Sequence, residues 1–237
     1  MSSDILANLN PEQHRAVTAP EESVLILAGA GSGKTRVLTT RIAWLLEHNL
    51  ATTGEILAVT FTNKAAAEMR QRLEQQLSSK RSARAVHIGT FHSLCLELLR
   101  EQFGEIRLLE EYEAACLAKE LLKEQGSDIS PARLLQEVSS YKSGMQQKQT
   151  QPSIPEGLVE RYCALQREKQ VFDFDDLLLD ALQLDTSFPH LLVDEFQDSN
   201  EMQYRLVQNG AAQGRACFSL ATPINRLRLP RIERAVL

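Results

Sequence analysis

Short apolar runs alternate with longer stretches of helical periodicity along much of the chain. Uninterrupted apolar runs are typical of strands that are buried on both faces of a sheet. Apolar residues about every three to four positions are typical of helices that pack against such a sheet with one side. The predicted strands are residues 23–28, 56–59, 86–88 and 190–193, and the predicted helices are residues 10–17, 35–47, 63–77, 91–99 and 201–207. This alternation predicts an α/β fold with a parallel sheet.

Residues 101–170 differ from the rest of the chain, because strand-like runs disappear and charged, Gln-rich helical patterns replace them. A polar stretch at residues 139–155 predicts a loop within this region. The α/β pattern resumes at residues 172–184. We therefore expect one α/β domain, formed by residues 1–100 and 171–220, that carries a helical insertion of residues 101–170.

The composition of the 237 residues, 43% hydrophobic and 24% charged, is ordinary for a folded protein and excludes a wholly disordered chain. The longest clean apolar stretch, residues 24–28, is far shorter than the roughly 20 residues that span a bilayer. The N-terminus lacks the pattern of a signal peptide. The four cysteines form no CxxC pair, which favours reduced thiols over a zinc site or a disulfide framework: Cys95, Cys116, Cys163 and Cys217. Together these features predict a cytoplasmic protein without a membrane partner.

The net charge of −5 is unevenly placed, since residues 214–237 carry +4 and the preceding residues carry −9. An arginine-rich segment of this kind can bind phosphate, and it can equally be without function.

A glycine-rich segment, residues 28–35, lies between a predicted strand and a predicted helix. Glycines allow backbone N–H groups to approach a phosphate at the positive end of a helix, Lys34 would reach the β- and γ-phosphates, and Thr35 would bind Mg²⁺. The alternative is a chance glycine-rich turn, and Ala28 replaces the usual first glycine of the pattern. The predicted nucleotide-binding residues of this segment are Ala28, Gly29, Ala30, Gly31, Ser32, Gly33, Lys34, Thr35 and Arg36.

The predicted strand at residues 190–193 ends on two acidic residues, Asp194 and Glu195. Beside a phosphate loop, the first carboxylate would hold the water shell of Mg²⁺ and the second would orient and deprotonate the attacking water. An exposed acidic loop is the alternative.

Three further segments follow strands or begin helices, and each has two interpretations. At residues 60–64, Phe61 is either a core residue or a platform on which a single-stranded base stacks. At residues 89–93, hydroxyl and imidazole groups either contact phosphate or cap a helix. At residues 173–177, the aspartates either bind a metal or cap a helix N-terminus.

In this order the segments resemble the motifs of the UvrD/Rep/PcrA-like superfamily 1 DNA helicases. Residues 9–13 resemble the Q motif, residues 28–35 motif I, residues 58–66 motif Ia, residues 89–93 motif Ib and residues 194–198 motif II. The resemblance covers roughly residues 5–210. It implies a RecA-like P-loop NTPase sheet, with the helical insertion in the place of the family's 1B subdomain.

The resemblance also implies ATP and Mg²⁺ as cofactors and a motor that moves 3′ to 5′ along single-stranded DNA and opens duplex junctions. It implies that Gln13 reads the adenine, that Lys34, Glu195 and Gln197 are catalytic, and that Thr35 and Asp194 bind the metal. The residues implied in DNA binding are Thr60, Phe61, Asn63, Thr90 and His92. In the family, a second RecA-like domain supplies arginines to the transferring phosphoryl group.

The sequence departs from the family after Leu220, where Gly-Asp-x-x-Gln-Ser-Ile would follow and residues 221–227 read Ala-Thr-Pro-Ile-Asn-Arg-Leu. Codons for these residues, read one base earlier, can encode Gly-Asp-Pro-Asp-Gln-Ser-Ile. One hypothesis is therefore that residues 221–237 are an aberrant, out-of-frame tail. We then expect an open sheet edge and a chain unable to unwind DNA alone. The alternatives are a catalytically silent module that binds nucleotide and single-stranded DNA, and an unstable product.

Overall fold

The structure is a computed structural model that describes residues 5–20, 24–29, 31–144, 154–184, 188–212, 216–222 and 233–236. Within these residues the strands are β1 (Val24–Leu27), β2 (Ile56–Thr60), β3 (His87–Thr90), β4 (Arg107–Leu108), β5 (Val171–Phe172), β6 (His190–Val193), β7 (Ala216–Ala221) and β8 (Glu233–Val236). The helices are α1 (Pro11–Val17), α2 (Lys34–Glu47), α3 (Asn63–Gln76), α4 (Lys80–Ala85), α5 (Phe91–Phe103), α6 (Glu111–Glu124), α7 (Pro131–Lys142), α8 (Glu156–Glu168), α9 (Phe174–Ala181) and α10 (Glu201–Ala212).

The chain divides into two compact units, one formed by residues 1–94 with 185–237 and the other by residues 95–184. The predicted insertion, residues 101–170, lies inside the second unit, which extends beyond it on both sides and includes α9. Polar contacts within this unit account for the position of α9, because Asp173 at its N-terminus accepts hydrogen bonds from Lys142 of α7 and Gln166 of α8.

A parallel six-stranded sheet forms the centre of the first unit, and its strand order is β3-β2-β6-β7-β1-β8. The expected α/β fold with a parallel sheet is confirmed. Apolar side chains of β1, β2, β6 and β7 pack against α2 and α3, and most of them are fully buried, such as Ile26, Ile56 and Leu192. Leu38 and Ile42 of α2 complete this core.

Two parts of residues 221–237, the segment interpreted as aberrant, take part in the sheet. Ala221 ends β7, and Glu233–Val236 form β8, which pairs in parallel with β1 along its whole length. The outer edge of β1 is therefore covered rather than open. Residues 223–232 and Leu237 lie outside the described residues.

Several helices begin where the sequence provides caps. Asn10 and Gln13 form a capping box around Pro11 at the start of α1. Thr62 caps α3 and Ser130 caps α7. The predicted polar loop at residues 139–155 begins later than expected, because α7 continues to Lys142, and residues 145–153 lie outside the described part of the chain.

The second unit has a core of its own, built from α6, α7 and α8 around the fully buried Tyr162. Its strands β4 and β5 pair in parallel over two residues each, a small sheet that the sequence did not predict. Within the described residues, no helix is both long enough and apolar enough to cross a membrane.

Candidate functional site

The candidate residues of the first unit meet at one edge of the sheet, because parallel strands all end on the same side. The glycine-rich loop follows β1, Asp194 and Glu195 follow β6, and Thr222 follows β7. Since β7 pairs with both β1 and β6, only one strand separates the loop from the two acidic residues. The sheet therefore brings together segments that are about 160 residues apart in sequence, as the contact between Thr35 and Asp194 shows directly (159 residues).

The glycine-rich loop has the form of a phosphate cradle. Gly31 and Gly33 adopt φ angles of +77° and +84°, which other residues rarely adopt. A Cβ atom built at Gly29 or Gly31 meets nothing within 4 Å, so the space beside these two glycines is open. The hydroxyl of Ser32 is buried without a hydrogen-bond partner, and α2 begins after Gly33 without a side-chain cap. An anion at this helix start would satisfy these donors, so the loop fits a phosphate group. Ala30 lies outside the described residues.

Lys34 is only 7% exposed, and its ammonium group lies among oxygen atoms at the end of the sheet. Its Nζ lies 3.4 Å from Oε1 of Glu195 and donates a hydrogen bond to Oγ1 of Thr222 (3.0 Å). The structure thus brings together the predicted phosphate-binding lysine and the predicted base.

Thr35 and Asp194, the two predicted metal-binding residues, are in direct contact. Thr35 Oγ1 donates to Asp194 Oδ2 (3.1 Å), and the backbone N–H of Glu195 donates to Asp194 Oδ1 (3.0 Å). Burial and the neighbouring Glu195 raise the pKa of Asp194, and the hydrogen bond from Thr35 opposes this rise. A hydroxyl and a carboxylate are oxygen donors of the kind that Mg²⁺ prefers, so the pair fits this ion.

Glu195 is held in a strained backbone conformation, with φ of +47°, in the left-handed region that favours glycine. Its Oε2 accepts a hydrogen bond from Nε2 of Gln197 (2.7 Å), and Oε1 of Gln197 accepts one from the backbone N–H of Thr222 (2.9 Å). Backbone strain of this kind concentrates at functional sites. The structure thus brings Gln197 and Glu195, two predicted site residues, into direct contact.

Gln13 and Arg36 flank the loop. Gln13 Nε2 donates to the carbonyl of Ser32 (2.9 Å), and its Oε1 accepts from the backbone N–H of Asn10 (3.2 Å), so its amide braces the loop. Arg36 is exposed and donates to the carbonyl of Asn8 (2.8 Å). Its guanidinium group is therefore held by the backbone of Asn8 in this structure.

The predicted DNA-binding residues lie at the ends of β2 and β3, at the same edge of the sheet. Phe61 is half-buried, and its ring meets Phe91 edge-on with the centroids 5.7 Å apart. Asn63 is exposed at the start of α3, whereas Thr60 is only 2% exposed. Phe61 is therefore neither fully buried in the core nor fully exposed.

The segment at residues 89–93 caps α5. Thr90 and Ser93 exchange hydrogen bonds between side chains and backbone, which supports the capping interpretation. His92 is half-buried. A Cβ atom at Gly89 would lie 2.6 Å from Ser93 Oγ, so a side chain at this position would disturb the cap.

The aspartates at residues 173–177 belong to the second unit and cap α9. Asp173 and Asp176 form a capping box, which supports capping over metal binding. Both also pair with the buried Lys142, whose Nζ lies 2.7 Å from each carboxylate. Burial lowers the pKa of Lys142, but the two carboxylates outweigh burial and raise it.

Sequence reasoning missed Thr222 and Lys142. Thr222 is a polar residue directly after the buried strand β7, the same signal that identified Asp194 after β6. Lys142 lies within a stretch that was predicted as a loop. The spacing of apolar residues in the sequence does not identify a buried lysine.

Comparison with known proteins gives the family. The model of the UvrD/REP helicase N-terminal domain matches residues 9–221. This chain belongs to that family. UvrD/REP relatives include the ATP-dependent DNA helicases PcrA of Bacillus subtilis (35% identical, covering 88% of this chain) and of Staphylococcus epidermidis (34% identical, covering 86%). PcrA of Staphylococcus aureus is 33% identical. The chain spans 32% of the length of each of these relatives. Its parallel α/β sheet is accordingly that of a RecA-like UvrD/REP helicase domain.

Proposed function

We propose that this chain is the ATP-binding part of a UvrD-type DNA helicase or translocase, in which ATP hydrolysis drives 3′-to-5′ movement along single-stranded DNA. The observation that carries the proposal is the contact between the glycine-rich loop and the acidic end of β6. Thr35 lies 3.1 Å from Asp194, and Lys34 lies 3.4 Å from Glu195. A phosphate-binding loop beside paired carboxylates is the arrangement that nucleotide hydrolysis needs.

Each residue of the site has a role in this proposal. Backbone N–H groups of the loop and the hydroxyl of Ser32 bind phosphate oxygens, and Lys34 binds the β- and γ-phosphates. Thr35 and Asp194 hold Mg²⁺, which neutralises phosphate charge when bound. Glu195 accepts a proton from the attacking water at its carboxylate, and Gln197 orients that carboxylate through the bond to Oε2.

Single-stranded DNA would run along the carboxyl ends of β2 and β3. The half-buried ring of Phe61 would stack on a base, and polar groups of Asn63, Thr90 and His92 would contact the DNA backbone. Because the side chain of Thr60 is buried, its role would be to support Phe61 or to offer a backbone group.

We further propose that the 237 residues alone hydrolyse ATP slowly and do not unwind duplex junctions. The relatives are about three times as long, since this chain spans 32% of their length. A second RecA-like domain would supply arginines to the transferring phosphoryl group, and such an arginine is worth about 10³–10⁵ in rate.

The test is ATP hydrolysis by the purified chain with and without single-stranded DNA, compared with Lys34→Ala and Glu195→Gln. We expect slow hydrolysis that DNA stimulates, that Lys34→Ala abolishes together with nucleotide binding, and that Glu195→Gln abolishes with nucleotide binding retained. Arg72→Ala, a change on an exposed helix face, is the matched control and should leave both unchanged. A strand-separation assay on a tailed duplex should detect no unwinding.

Hydrolysis that survives Lys34→Ala would contradict the proposed site. Nucleotide and DNA binding without turnover would instead favour the second candidate, a catalytically silent binding module. The ion pair of Lys34 with Glu195 is the observation behind this candidate, because it occupies both groups in the nucleotide-free chain.

A further inference from the structure

Four residues beside the glycine-rich loop form a closed ring of polar contacts. Lys34 Nζ donates to Thr222 Oγ1 (3.0 Å), and the backbone N–H of Thr222 donates to Gln197 Oε1 (2.9 Å). Gln197 Nε2 donates to Glu195 Oε2 (2.7 Å), and Glu195 Oε1 lies 3.4 Å from Lys34 Nζ, which closes the ring. All four residues belong to the first compact unit.

The ring keeps the two chemically active groups occupied with each other. Lys34 is 7% exposed, so water contributes little to its solvation and the oxygens of Thr222 and Glu195 replace it. Glu195 is paired with that ammonium group through Oε1 and accepts from Gln197 at Oε2, so both of its carboxylate oxygens are engaged. A terminal phosphate bound in the loop would compete with Thr222 and Glu195 for the three N–H donors of Lys34.

We propose that Thr222 is a positioning residue that holds Lys34, and through Gln197 also Glu195, in this ring, and that the terminal phosphate of a nucleoside triphosphate opens the ring by drawing Lys34 away from Thr222. The inference rests on the proposed nucleotide site. Thr222 directly follows β7, the strand between β1 and β6, so opening the ring frees the end of that strand when the phosphate site fills.

The first test compares Thr222→Val with the wild-type chain. Valine preserves the shape of threonine and the backbone N–H but removes the hydroxyl that competes for Lys34. Since a hydrogen bond to a charged group is lost from the nucleotide-free state only, we expect affinity for the slowly hydrolysed analogue ATPγS with Mg²⁺ to rise roughly ten- to a hundredfold by titration calorimetry. Thr222→Ser should restore wild-type affinity.

Thr52→Val is the matched control, because Thr52 is exposed and its hydroxyl bonds only to Glu55 within its own turn. It should leave nucleotide affinity unchanged. If Thr222 has a purely structural role, Thr222→Val should bind ATPγS more weakly and melt at a lower temperature. That weaker binding would be the opposite of the gain in affinity that we expect.

The second test measures amide exchange of Thr222 by NMR. In the nucleotide-free chain the bond to Gln197 should protect this amide, and Gln197→Ala should remove the protection. An unprotected Thr222 amide in the nucleotide-free wild type overturns the ring itself. A wild-type chain that binds no ATPγS overturns the proposed function and with it the opening of the ring. Equal ATPγS affinity of wild type and Thr222→Val overturns only the role of Thr222.

Discussion

At the scale of single residues, the candidate site holds several groups in states that are costly without a ligand. Asp194 is a buried carboxylate with a raised pKa, Glu195 has a left-handed backbone, and Ser32 has a buried hydroxyl without a partner. Residues selected for stability alone would avoid all three features. A phosphate group would satisfy the Ser32 hydroxyl, and a divalent cation would favour the ionised form of Asp194. Both unfavourable features are therefore relieved by one ligand, a phosphate group with its bound cation.

Replacing Asp194 by asparagine should therefore stabilise the nucleotide-free chain by about 0.5–2 kcal/mol and abolish Mg²⁺-dependent binding of ATPγS. The pKa of Asp194 is raised in the folded chain, so its ionisation opposes folding above that pKa, and the penalty disappears as the pH falls through it. The gain in stability of Asp194→Asn over the wild-type chain should thus be present at pH 7 and should decrease as the pH is lowered. Calorimetric melting with and without Mg²⁺-ATPγS measures both effects.

The exposed Asp128→Asn is the control for this change and should alter neither stability nor binding. A lower melting temperature in Asp194→Asn at neutral pH would show that the carboxylate is needed for the fold, contrary to the prediction.

At the scale of elements, the sequence predicted the strands and helices that are marked by a regular spacing of apolar residues or by a helix-capping residue. β1, β2 and β6 are largely apolar runs, β3 is a short strand around Ile88, and all four appear within about two residues of the expected bounds. β7 was missed because Ser219 interrupts its apolar run. That serine is fully buried, and its hydroxyl is satisfied by Cys217 Sγ at 3.3 Å. β4 and β5 are two residues long, too short to show a period.

Those residues of the candidate site that follow predicted strands were likewise predictable from the sequence. Lys34, Thr35, Asp194 and Glu195 follow recognisable strand ends, and the sheet places them together. The ring through Thr222 was not predictable, because it depends on a strand pairing between β7 and β1 that no local pattern specifies.

The second unit depends on one buried cation shared by three helical elements. Lys142 of α7 contacts Gln166 of α8 and both Asp173 and Asp176 at the start of α9. Lys142→Met should destabilise the chain by about 1.5–3 kcal/mol at pH 7, because it leaves two half-buried carboxylates without their counter-ion. Urea unfolding followed by circular dichroism measures the loss, and the exposed Lys119→Met should show none.

The pH dependence distinguishes this explanation from a simple packing defect. The pKa of Lys142 is raised in the folded chain, so its contribution is complete at neutral pH and is lost only as the pH rises through the range in which lysine deprotonates. In the methionine variant, burial and mutual repulsion would raise the pKa values of Asp173 and Asp176, so lowering the pH should recover part of the lost stability. A destabilisation that is constant between pH 5 and pH 7 would indicate packing alone.

At the scale of the whole molecule, the nucleotide site depends on the order of the strands rather than on any one of them. The chain leaves β1 for β2 and β3 on one side, returns through β6 and β7, and places β8 on the other side of β1. The loop that follows β1 is therefore supported by β7 on one flank and by β8 on the other. Loss of the edge strand β8 is consequently expected to disturb the glycine-rich loop that follows β1.

Deleting residues 223–237 removes β8 and leaves the outer N–H and C=O groups of β1 without partners. Since a backbone hydrogen bond contributes about 1 kcal/mol net, we expect the free energy of unfolding to fall by about 1–3 kcal/mol. An open edge beside the glycine-rich loop should also promote pairing between copies of the chain, which sedimentation at increasing concentration would detect. Ala235→Pro, which removes one donor of β8 at full chain length, should show a smaller loss of the same kind. A truncated chain as stable and as monodisperse as the full one would mean that β8 contributes nothing, and it would favour the sequence-based hypothesis that this tail carries no structural information.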